Sequence, residues 1–397
     1  MLTARELFLN HIAQTSDAPM LIEPESAEGI FVKDKSGKKF FDMIAGISVG
    51  NIGYGNKKVI EAIKLQSEKY LHLMVYGEYI QSPQVQFAQL ITQHLPENLD
   101  SVYFTNSGTE STEGAMKLAK RFTGRSEIIC FNKSYHGSTQ GALSLMGDEY
   151  FRNSFRPLLP GIRRFDYNDM NAVSAISNQT ACVILEPVQA ESGVTLPEKK
   201  FMIELRKKCK QNGALLIFDE AQTAFGRTGK LFAFQKYEIE PDVLLLAKAL
   251  GGGLPLGAFI SSKEIMQSLT QNPVLGHITT FGGNPVCCAA GMAAMNFLLE
   301  EKLIDTISEK EKLFHQLLQH KKIIAVRSSG LLLAVEFENE ELCKKVIDEC
   351  RRNDLITDWF LFAPHCLRLA PPLIISEEEI ISACKKILHS IESVSII

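Results

Sequence analysis

The sequence lacks the features by which membrane, secreted and nucleic-acid-binding proteins are usually identified. No apolar run approaches the ~18 residues needed to span a bilayer. The N-terminal stretch has neither the apolar core nor the cleavage site of a signal peptide. There is no basic cluster and the formal net charge is −4, which argues against nucleic-acid and anionic-membrane partners. We therefore expect a cytoplasmic protein that binds neither nucleic acid nor a membrane.

The sequence also lacks the cysteine and histidine patterns typical of disulfide-bonded and metal-binding proteins. The chain has nine cysteines but no Cys-x-x-Cys pair, and an odd number in a chain of intracellular type indicates reduced, mostly buried thiols. Nine histidines are scattered along the chain, and none has the spacing of metal ligands. We predict no disulfide framework and no metal site.

One stretch of the chain brings an acid and an amine to a place where ligands bind. Two apolar runs, residues 215–218 and Val243–Leu246, are typical of buried strands in a parallel sheet. Asp219 follows the first run and Lys248 follows the second. Open α/β sheets bind ligands beyond the carboxyl ends of their strands, so the two side chains predict a site there. The alternative is a buried ion pair without chemistry.

The residues around this pair form an extended motif. The pattern Asp-Glu-x-Gln-x-x-x-Gly-Arg-Thr-Gly, followed by a lysine and a glycine-rich turn, is matched by Asp219, Glu220, Gln222, Gly226, Arg227, Thr228, Gly229, Lys248 and residues 251–253. The stretch resembles the pyridoxal-phosphate segment of the class III aminotransferases of the ornithine and acetylornithine type, a branch of fold type I. This resemblance extends over nearly the whole chain. It implies that Lys248 holds pyridoxal 5'-phosphate as a Schiff base, that Asp219 pairs with the pyridine nitrogen, and that Gln222 binds the phenolic oxygen.

The chemistry of that cofactor explains these residue types. A Schiff base needs a primary amine, which only lysine supplies. The cofactor stabilises a carbanion while its ring nitrogen is protonated, and a neighbouring carboxylate favours the protonated form.

A second motif predicts an anion site. Residues 102–105 form a short strand, after which Ser107 and Glu110 fit a capping box at the start of a helix. The free N–H groups and the dipole of such a helix attract anions, although many helices begin in this way and bind nothing. The resemblance implies that Ser107, Gly108 and Thr109 bind the cofactor phosphate.

The resemblance also implies further cofactor contacts. Tyr135, which precedes His-Gly, would stack on the pyridine ring. Glu186 follows a third buried strand, residues 181–185, and would lie at the same edge of the sheet. Thr280 would donate to the phosphate in a neighbouring subunit, so we expect a homodimer with sites at its interface. From its own sequence pattern, the segment around Thr280 is only a turn-rich loop.

Three residues are candidates for substrate binding. The same resemblance implies that Arg368 clamps a substrate carboxylate, that Glu191 pairs with Arg368 and moves aside when a dicarboxylate arrives, and that Tyr76 lines the pocket. The alternatives are a surface ion pair, an exposed loop acid and a packed aromatic ring. Ser138 departs from the arginine that many acetylornithine and ornithine enzymes carry after His-Gly, so the substrate stays open.

We predict an α/β protein of fold type I, with a large domain around a mainly parallel sheet and a smaller α/β domain. Residues 1–45 would form an arm and hairpin belonging to the small domain, 46–295 the large cofactor-binding domain, and 296–397 the rest of the small domain.

The predicted function is transfer of an amino group from acetylornithine, ornithine or a similar ω-amino acid to 2-oxoglutarate. Three alternatives stay open at this point. The donor could instead be 4-aminobutyrate, a β-amino acid or another ω-amine. The enzyme could be a racemase or aminomutase of the same fold. The third alternative is a binding protein that kept the fold without catalysis.

Overall fold

The computed structural model describes residues 2–394, and residues 395–397 of the predicted small domain lie outside the described residues. Within the described part of the chain, no helix is both long enough and apolar enough to cross a membrane. The described strands, in chain order, are β1 (Pro24–Glu28), β2 (Phe31–Asp34), β3 (Lys39–Asp42), β4 (Ser101–Thr105), β5 (Glu127–Phe131), β6 (Ile162–Phe165), β7 (Thr180–Leu185), β8 (Leu215–Asp219), β9 (Val243–Leu246), β10 (Gly257–Ser261), β11 (Ala325–Ser329), β12 (Leu332–Glu336), β13 (Leu355–Ile356), β14 (Asp358–Phe360) and β15 (Ala363–Leu369).

Helices separate most of these strands. In chain order the described helices are α1 (Ala4–His11), α2 (Ala45–Ser48), α3 (Lys57–Lys69), α4 (Ser82–Thr92), α5 (Gly108–Thr123), α6 (Gln140–Leu145), α7 (Glu149–Arg152), α8 (Met170–Ala175), α9 (Lys199–Asn212), α10 (Lys263–Gln267), α11 (Pro285–Glu300), α12 (Ile307–Leu317), α13 (Glu340–Arg352) and α14 (Glu377–Ser393). Short 3-10 helices cover Asn153–Phe155, Ala233–Lys236, Lys248–Gly251 and Leu303–Thr306. Positive φ angles at all four of its residues make α2 a left-handed turn.

The large sheet has seven strands in the order β4-β10-β9-β8-β7-β5-β6. Its strand pairs are parallel except for those of β10, which runs antiparallel to both β4 and β9. This confirms the predicted mainly parallel sheet. Every residue of β8 and β9 is buried, as the two apolar runs predict. Asp219 lies opposite Leu245 in the β8–β9 pair, so Lys248, which follows β9, reaches the same edge.

Two smaller sheets contain the N-terminal hairpin and the C-terminal strands. The predicted hairpin is present, with Phe31 of β2 opposite Phe41 of β3. Strand β13 pairs in parallel with β3, so the two ends of the chain share the four-stranded sheet β1-β2-β3-β13. The other sheet is antiparallel, in the order β11-β12-β15-β14. The proposed division at residues 45 and 295 stays a prediction, and the second boundary falls inside α11.

The turn after β8 connects the large sheet to the C-terminal sheet through one arginine. Arg227 is fully buried and donates from one terminal nitrogen to the carbonyls of Leu331 and Pro371, at 2.7 and 2.6 Å. Its other terminal nitrogen donates to the Oδ1 of Asn51 at 2.6 Å. Burial lowers the pKa of Arg227 to about 9. Because a buried cation must be paired or hydrogen-bonded, this one guanidinium holds three distant segments together.

Candidate active site

A cavity of about 650 Å³ opens at the carboxyl edge of the large sheet. This is where open α/β sheets bind ligands. The predicted residues that line it are Ser107, Gly108, Thr109, Tyr135, Glu186, Asp219, Gln222 and Lys248. The structure therefore collects most of the predicted cofactor residues around one space.

Lys248 lines this cavity, and its amine is held by a neighbouring side chain. The residue has a φ of +52°, in the left-handed region, and begins the 3-10 helix after β9. Its Nζ donates to the Oε1 of Gln222 at 2.9 Å. Burial lowers the pKa of Lys248, although the negative charges of Glu191 and Asp219 oppose that effect. A lowered pKa increases the fraction of uncharged amine, which is the nucleophilic form.

Asp219 is held in place by groups other than the lysine. Its Oδ2 lies 2.8 Å from the Nδ1 of His136, and its Oδ1 accepts from the backbone N–H of Ala221 at 3.0 Å. Burial disfavours the charged imidazole, but the hydrogen bond and charge of Asp219, with the charge of Glu186, raise the pKa of His136. The carboxylate is therefore fixed at the cavity wall by a buried imidazole.

His136 is a residue whose part in the site the sequence analysis did not identify. His136 follows Tyr135 in the loop after β5, which begins at the same edge of the sheet as Asp219. This position in the sequence is the signal from which its part in the site could be predicted. Its Nε2 is a buried nitrogen without a hydrogen-bond partner among residues 2–394.

Glu186 supports the cavity wall through backbone contacts. Its Oε1 accepts from the N–H of Tyr135 at 3.0 Å, and its Oε2 accepts from the N–H of Ala190 at 3.1 Å. Burial raises the pKa of Glu186 to about 7, and the neighbouring charge of His136 works against that rise. This carboxyl group therefore links the loop after β5 to the loop after β7.

The N-terminus of α5 forms another wall. Ser107 caps the helix, since its hydroxyl accepts from the N–H of Glu110 at 3.3 Å. The predicted capping box is only half formed, because the Glu110 carboxylate accepts from the N–H of Asn106, at 2.8 Å, instead of that of Ser107. A β-carbon on Gly108 would come within 3.3 Å of the Cβ of Ala247. The first turn of α5 therefore places the N–H groups of a helix start and its positive dipole end beside the cavity.

Glu191 and Arg368 form a buried ion pair next to this cavity. The two terminal nitrogens of Arg368 donate to the two carboxylate oxygens of Glu191 at 2.7 and 2.8 Å. The backbone N–H of Leu361 also donates to Glu191, at 3.1 Å. Burial alone would raise the pKa of Glu191, but the charge and hydrogen bonds of Arg368 outweigh burial and lower it. Both side chains are almost fully buried, so Glu191 is not an exposed loop acid and Arg368 is not in a surface pair.

Besides Glu191 and Arg368, two further predicted residues do not line the main cavity. Thr280 is exposed on the loop between α10 and α11. Tyr76 lines a separate cavity of about 270 Å³, which Thr279 also lines. By contrast, Ser138 lies on the wall of the main cavity, and its hydroxyl is 3.0 Å from that of Tyr135.

Comparison with known proteins agrees with this geometry. Residues 12–391 match the sequence model of the family described as "Aminotransferase class-III". The acetylornithine aminotransferase of Methanopyrus kandleri is 39% identical over 394 residues, covering 98% of this chain and 99% of that protein. The acetylornithine aminotransferase of Clostridium acetobutylicum is 36% identical over 369 residues, covering 90% of this chain and 92% of its own.

Solved structures show the same architecture. The ornithine aminotransferase of Toxoplasma gondii superposes with a TM-score of 0.90 and 28% identity, covering 98% of this chain and 93% of that chain, and its active site contains partially occupied PLP. A transaminase from the marine bacterium Virgibacillus gives a TM-score of 0.91 with 26% identity and covers 98% of each chain.

Proposed function

Because the chain belongs to the class III aminotransferase family and is a transaminase, we propose that its cofactor is pyridoxal 5'-phosphate, bound in the large-sheet cavity. One observation carries the proposal: the amine of Lys248, the carboxylate of Asp219 and the N-terminus of α5 all line that cavity. These groups suit an aldehyde, a pyridine nitrogen and a phosphate respectively. The Nε2 of Gln222 is a buried donor without a partner among the described residues, and it suits a phenolic oxygen.

In this proposal each residue has a distinct role. Lys248 would hold the cofactor through Nζ, with Gln222 orienting that amine. Asp219, fixed by His136, would keep the ring nitrogen protonated. Ser107, Gly108 and Thr109 would bind the phosphate, while Tyr135 would cover the ring and Glu186 would hold the loop of Tyr135 in place. When bound, the cofactor supplies an electron-withdrawing ring that stabilises negative charge on the substrate carbon.

Lys248 would also act as the base. Once free, its Nζ would take the proton from the amine-bearing carbon of the donor and pass it to the cofactor carbon that keeps the amine, and in the second half of the reaction it would carry a proton the opposite way, onto the carbon of the acceptor. General bases work best when their pKa lies near the operating pH, and burial shifts the pKa of Lys248 downward in that direction.

We propose acetylornithine, or else ornithine or a similar ω-amino acid, as the donor, with 2-oxoglutarate as the acceptor. The support is the name shared by the relatives most similar in sequence. Arg368 would bind the α-carboxylate of the acceptor, and Glu191 would neutralise Arg368 while an ω-amino donor presents an uncharged methylene there. The planar fork of arginine suits a carboxylate because both can bond at two points.

A second candidate donor class follows from Ser138. This residue adds only a hydroxyl to the cavity wall where many acetylornithine and ornithine enzymes carry an arginine. A wall without that cation offers no ion pair to a carboxylate at the far end of the donor, which removes one reason to prefer acetylornithine and ornithine over other donors. Other ω-amines therefore remain the second candidate, together with 4-aminobutyrate and β-amino acids.

The working unit is proposed to be a cytoplasmic homodimer with sites at the interface. Thr280 lies on an exposed loop, and its neighbours Ile278 and Phe281 are exposed apolar side chains. A second copy covering this loop would bury apolar surface and bring Thr280 to the partner's phosphate site. Tyr76 would line the pocket from the same interface.

A donor panel tests the proposed function. The purified protein, supplied with pyridoxal phosphate and 2-oxoglutarate, is offered N-acetylornithine, ornithine, 4-aminobutyrate and β-alanine, and glutamate formation is measured. The expected result is fastest glutamate formation with N-acetylornithine or ornithine. A clear preference for 4-aminobutyrate or β-alanine would support the second candidate. No glutamate from any donor would overturn the proposal.

A further inference from the structure

Arg368 is bound by two carboxylates, one of which the sequence motif does not include. In the antiparallel pair of β14 and β15, Asp358 lies directly opposite Arg368. The Nε of Arg368 is 2.9 Å from the Oδ1 of Asp358, whereas its two terminal nitrogens bind Glu191. The guanidinium also stacks over the ring of Phe360, with 4.5 Å between its central carbon and the ring centroid. Glu191 therefore hydrogen-bonds the end of the guanidinium at two points, and Asp358 lies at ion-pair distance from its side without meeting the geometry of a hydrogen bond.

The two acids differ in their freedom to move. Glu191 lies in the loop after β7, and its carboxylate is reached by Arg368 and by one backbone N–H. Asp358 belongs to a strand whose register with β15 fixes it opposite Arg368. The hydroxyl of Thr357, the preceding residue, donates to the carbonyl of Arg368 at 2.5 Å and ties the two strands together. A substrate can therefore displace Glu191 by rotating that side chain away from Arg368, whereas the backbone of Asp358 is held opposite Arg368 by the sheet.

We infer that Asp358 is a specificity-determining residue, a fixed second carboxylate that weakens the capture of substrate α-carboxylates by Arg368. This inference rests on the proposed function, in which Arg368 binds such a group. When Glu191 moves aside, the incoming carboxylate meets a cation that Asp358 already neutralises in part. Like charges on the same guanidinium repel one another across a few ångströms of poorly solvated space. The site therefore disfavours binding through an α-carboxylate more strongly than a site with Glu191 alone.

The consequence is a bias in the choice of amine. An ω-amino donor places a methylene near Arg368 and is not affected by the charge of Asp358. A donor that reacts at its α-amine must place its carboxylate there, and so must 2-oxoglutarate and the product glutamate. Asp358 therefore favours reaction at the ω-amine. It also speeds the departure of glutamate, because weaker capture of the carboxylate shortens the lifetime of the product complex.

The charges around Asp358 agree with this role. Burial raises the pKa of Asp358 to about 6, and the negative charges of Glu191 and Asp42 add to the rise against the opposing charge of Arg368. Asp42 lies at the end of β3, and its Oδ2 accepts a hydrogen bond from the hydroxyl of Tyr54. On α13, which packs against β14, burial raises the pKa of the Cys343 thiol, and the charge of Asp358 adds to that rise. Asp358 is thus a carboxylate at pH 8 and becomes neutral as the pH falls below about 6.

Replacement of Asp358 by its neutral isostere tests the inference. Asp358→Asn keeps the shape and an acceptor oxygen but removes the charge. We expect the KM for 2-oxoglutarate to fall about tenfold at pH 8, equivalent to about 1.4 kcal/mol, while the KM for the ω-amino donor does not fall. The dissociation constant of glutarate, which cannot react, should fall by a similar factor when measured by calorimetry. Glutamate and other α-amino donors should gain relative to ω-amino donors.

Controls separate charge from structure. Asp348→Asn removes an exposed aspartate that lies 3.1 Å from Arg351, and we expect both KM values to match those of the wild type. If Asp358→Asn fails to fold, Asp358→Ser removes the same charge and should show the same selective fall. In the wild type the KM for 2-oxoglutarate should also fall from pH 8 to pH 5.5, and this pH dependence should be smaller in Asp358→Asn.

Two kinds of failure are distinguishable. A wild-type protein that transaminates no donor would refute the proposed function itself. An active wild type in which Asp358→Asn leaves the KM for 2-oxoglutarate unchanged, raises it, or changes both KM values equally would overturn the role of Asp358 alone.

Discussion

The protein contains two buried acid–base pairs that are arranged in opposite ways. In the cavity, Lys248 and Asp219 do not bond to each other: the amine donates to Gln222, and the carboxylate binds His136. Next to the cavity, Glu191 and Arg368 bind each other at two points. The first arrangement leaves both groups facing open space and available to a ligand. The second is closed, so a ligand must break a bond between protein groups before it can bind.

The difference shows how an ion pair that supports catalysis can be told from one that controls access. A group that must react with a ligand is held by other protein groups, which fix its orientation but leave part of its hydrogen-bonding capacity free. A charged group that must be neutralised until a particular ligand arrives is instead paired with an oppositely charged side chain that the ligand can displace. A substitution in the open pair should therefore have a different kind of effect from one in the closed pair, and the largest effects are expected in the open pair.

Removal of the amine should have the largest effect. Lys248→Ala should lower turnover by about 10⁴-fold or more, because both the covalent anchor and the general base are lost. Borohydride treatment followed by peptide mass spectrometry should find the cofactor on Lys248 of the wild type and on no lysine of the variant. Lys207→Ala, at an exposed lysine, is the control. A cofactor adduct on a different lysine of Lys248→Ala would refute the assignment.

Neutralising the acid of the open pair should come next. Asp219→Asn should lower turnover by about 10²–10³-fold, since a neutral amide does not favour the protonated ring nitrogen. His136 would also lose the charge that raises its pKa. Half-reaction rates are measured by rapid-mixing absorbance, with thermal unfolding to confirm the fold. Rates close to those of the wild type would mean that Asp219 is not the partner of the ring nitrogen.

A conservative change in the closed pair should affect only one half of the reaction. Arg368→Lys keeps the charge but loses the two-point geometry, and we expect the glutamate and 2-oxoglutarate half-reaction to slow about tenfold to a hundredfold. The ω-amino donor half-reaction should be affected much less. Arg351→Lys, on the exposed side of α13, provides the matched control. Equal slowing of both halves would show that Arg368 supports the fold and does not clamp the acceptor.

Removal of the movable acid should have the smallest effect. Breaking a buried ion pair usually costs about 3–5 kcal/mol, but Asp358 remains on Arg368, so Glu191→Ala should lower the unfolding free energy by about 2 kcal/mol or less. The donor half-reaction should slow, while α-amino donors such as glutamate should react relatively better. Denaturant unfolding and single-turnover kinetics measure the two effects. A variant in which both half-reactions slow equally would contradict the gating role of Glu191.

Much of the open pair could be predicted from the sequence because it depends on local patterns. The apolar runs of β8 and β9 place Asp219 and Lys248 at the same sheet edge, and a strand followed by a Ser-Gly-Thr helix start predicts an anion site at that edge. Each of these features lies within a few residues of its signal. The structure of β8 and β9 confirms the predicted strands, and the parallel sheet confirms the fold class.

The rest depends on contacts between distant segments. His136 reaches Asp219 across 83 positions of sequence, and neither local pattern indicates the contact. Asp358 meets Arg368 because β14 has a register shift between Trp359 and Phe360, which periodicity alone does not reveal. The positions of Tyr76 and Thr280 outside the main cavity depend on how their loops fold, which the local sequence does not describe. The predicted domain boundary at residue 295 falls inside α11, because a change in the pattern of apolar residues need not coincide with the end of a helix.

Arg227 has a consequence for how the molecule can move. Its three hydrogen bonds reach the loop of Asn51, Leu331 just before β12, and the segment after β15 at Pro371. A hinge rotation of the C-terminal sheet would pull these acceptors away from a cation that has no solvent to replace them. The exchange of two unlike substrates should therefore occur without a swing of whole domains. We expect the motion that admits the second substrate to be confined to the side chain of Glu191, while the strands on either side keep their positions.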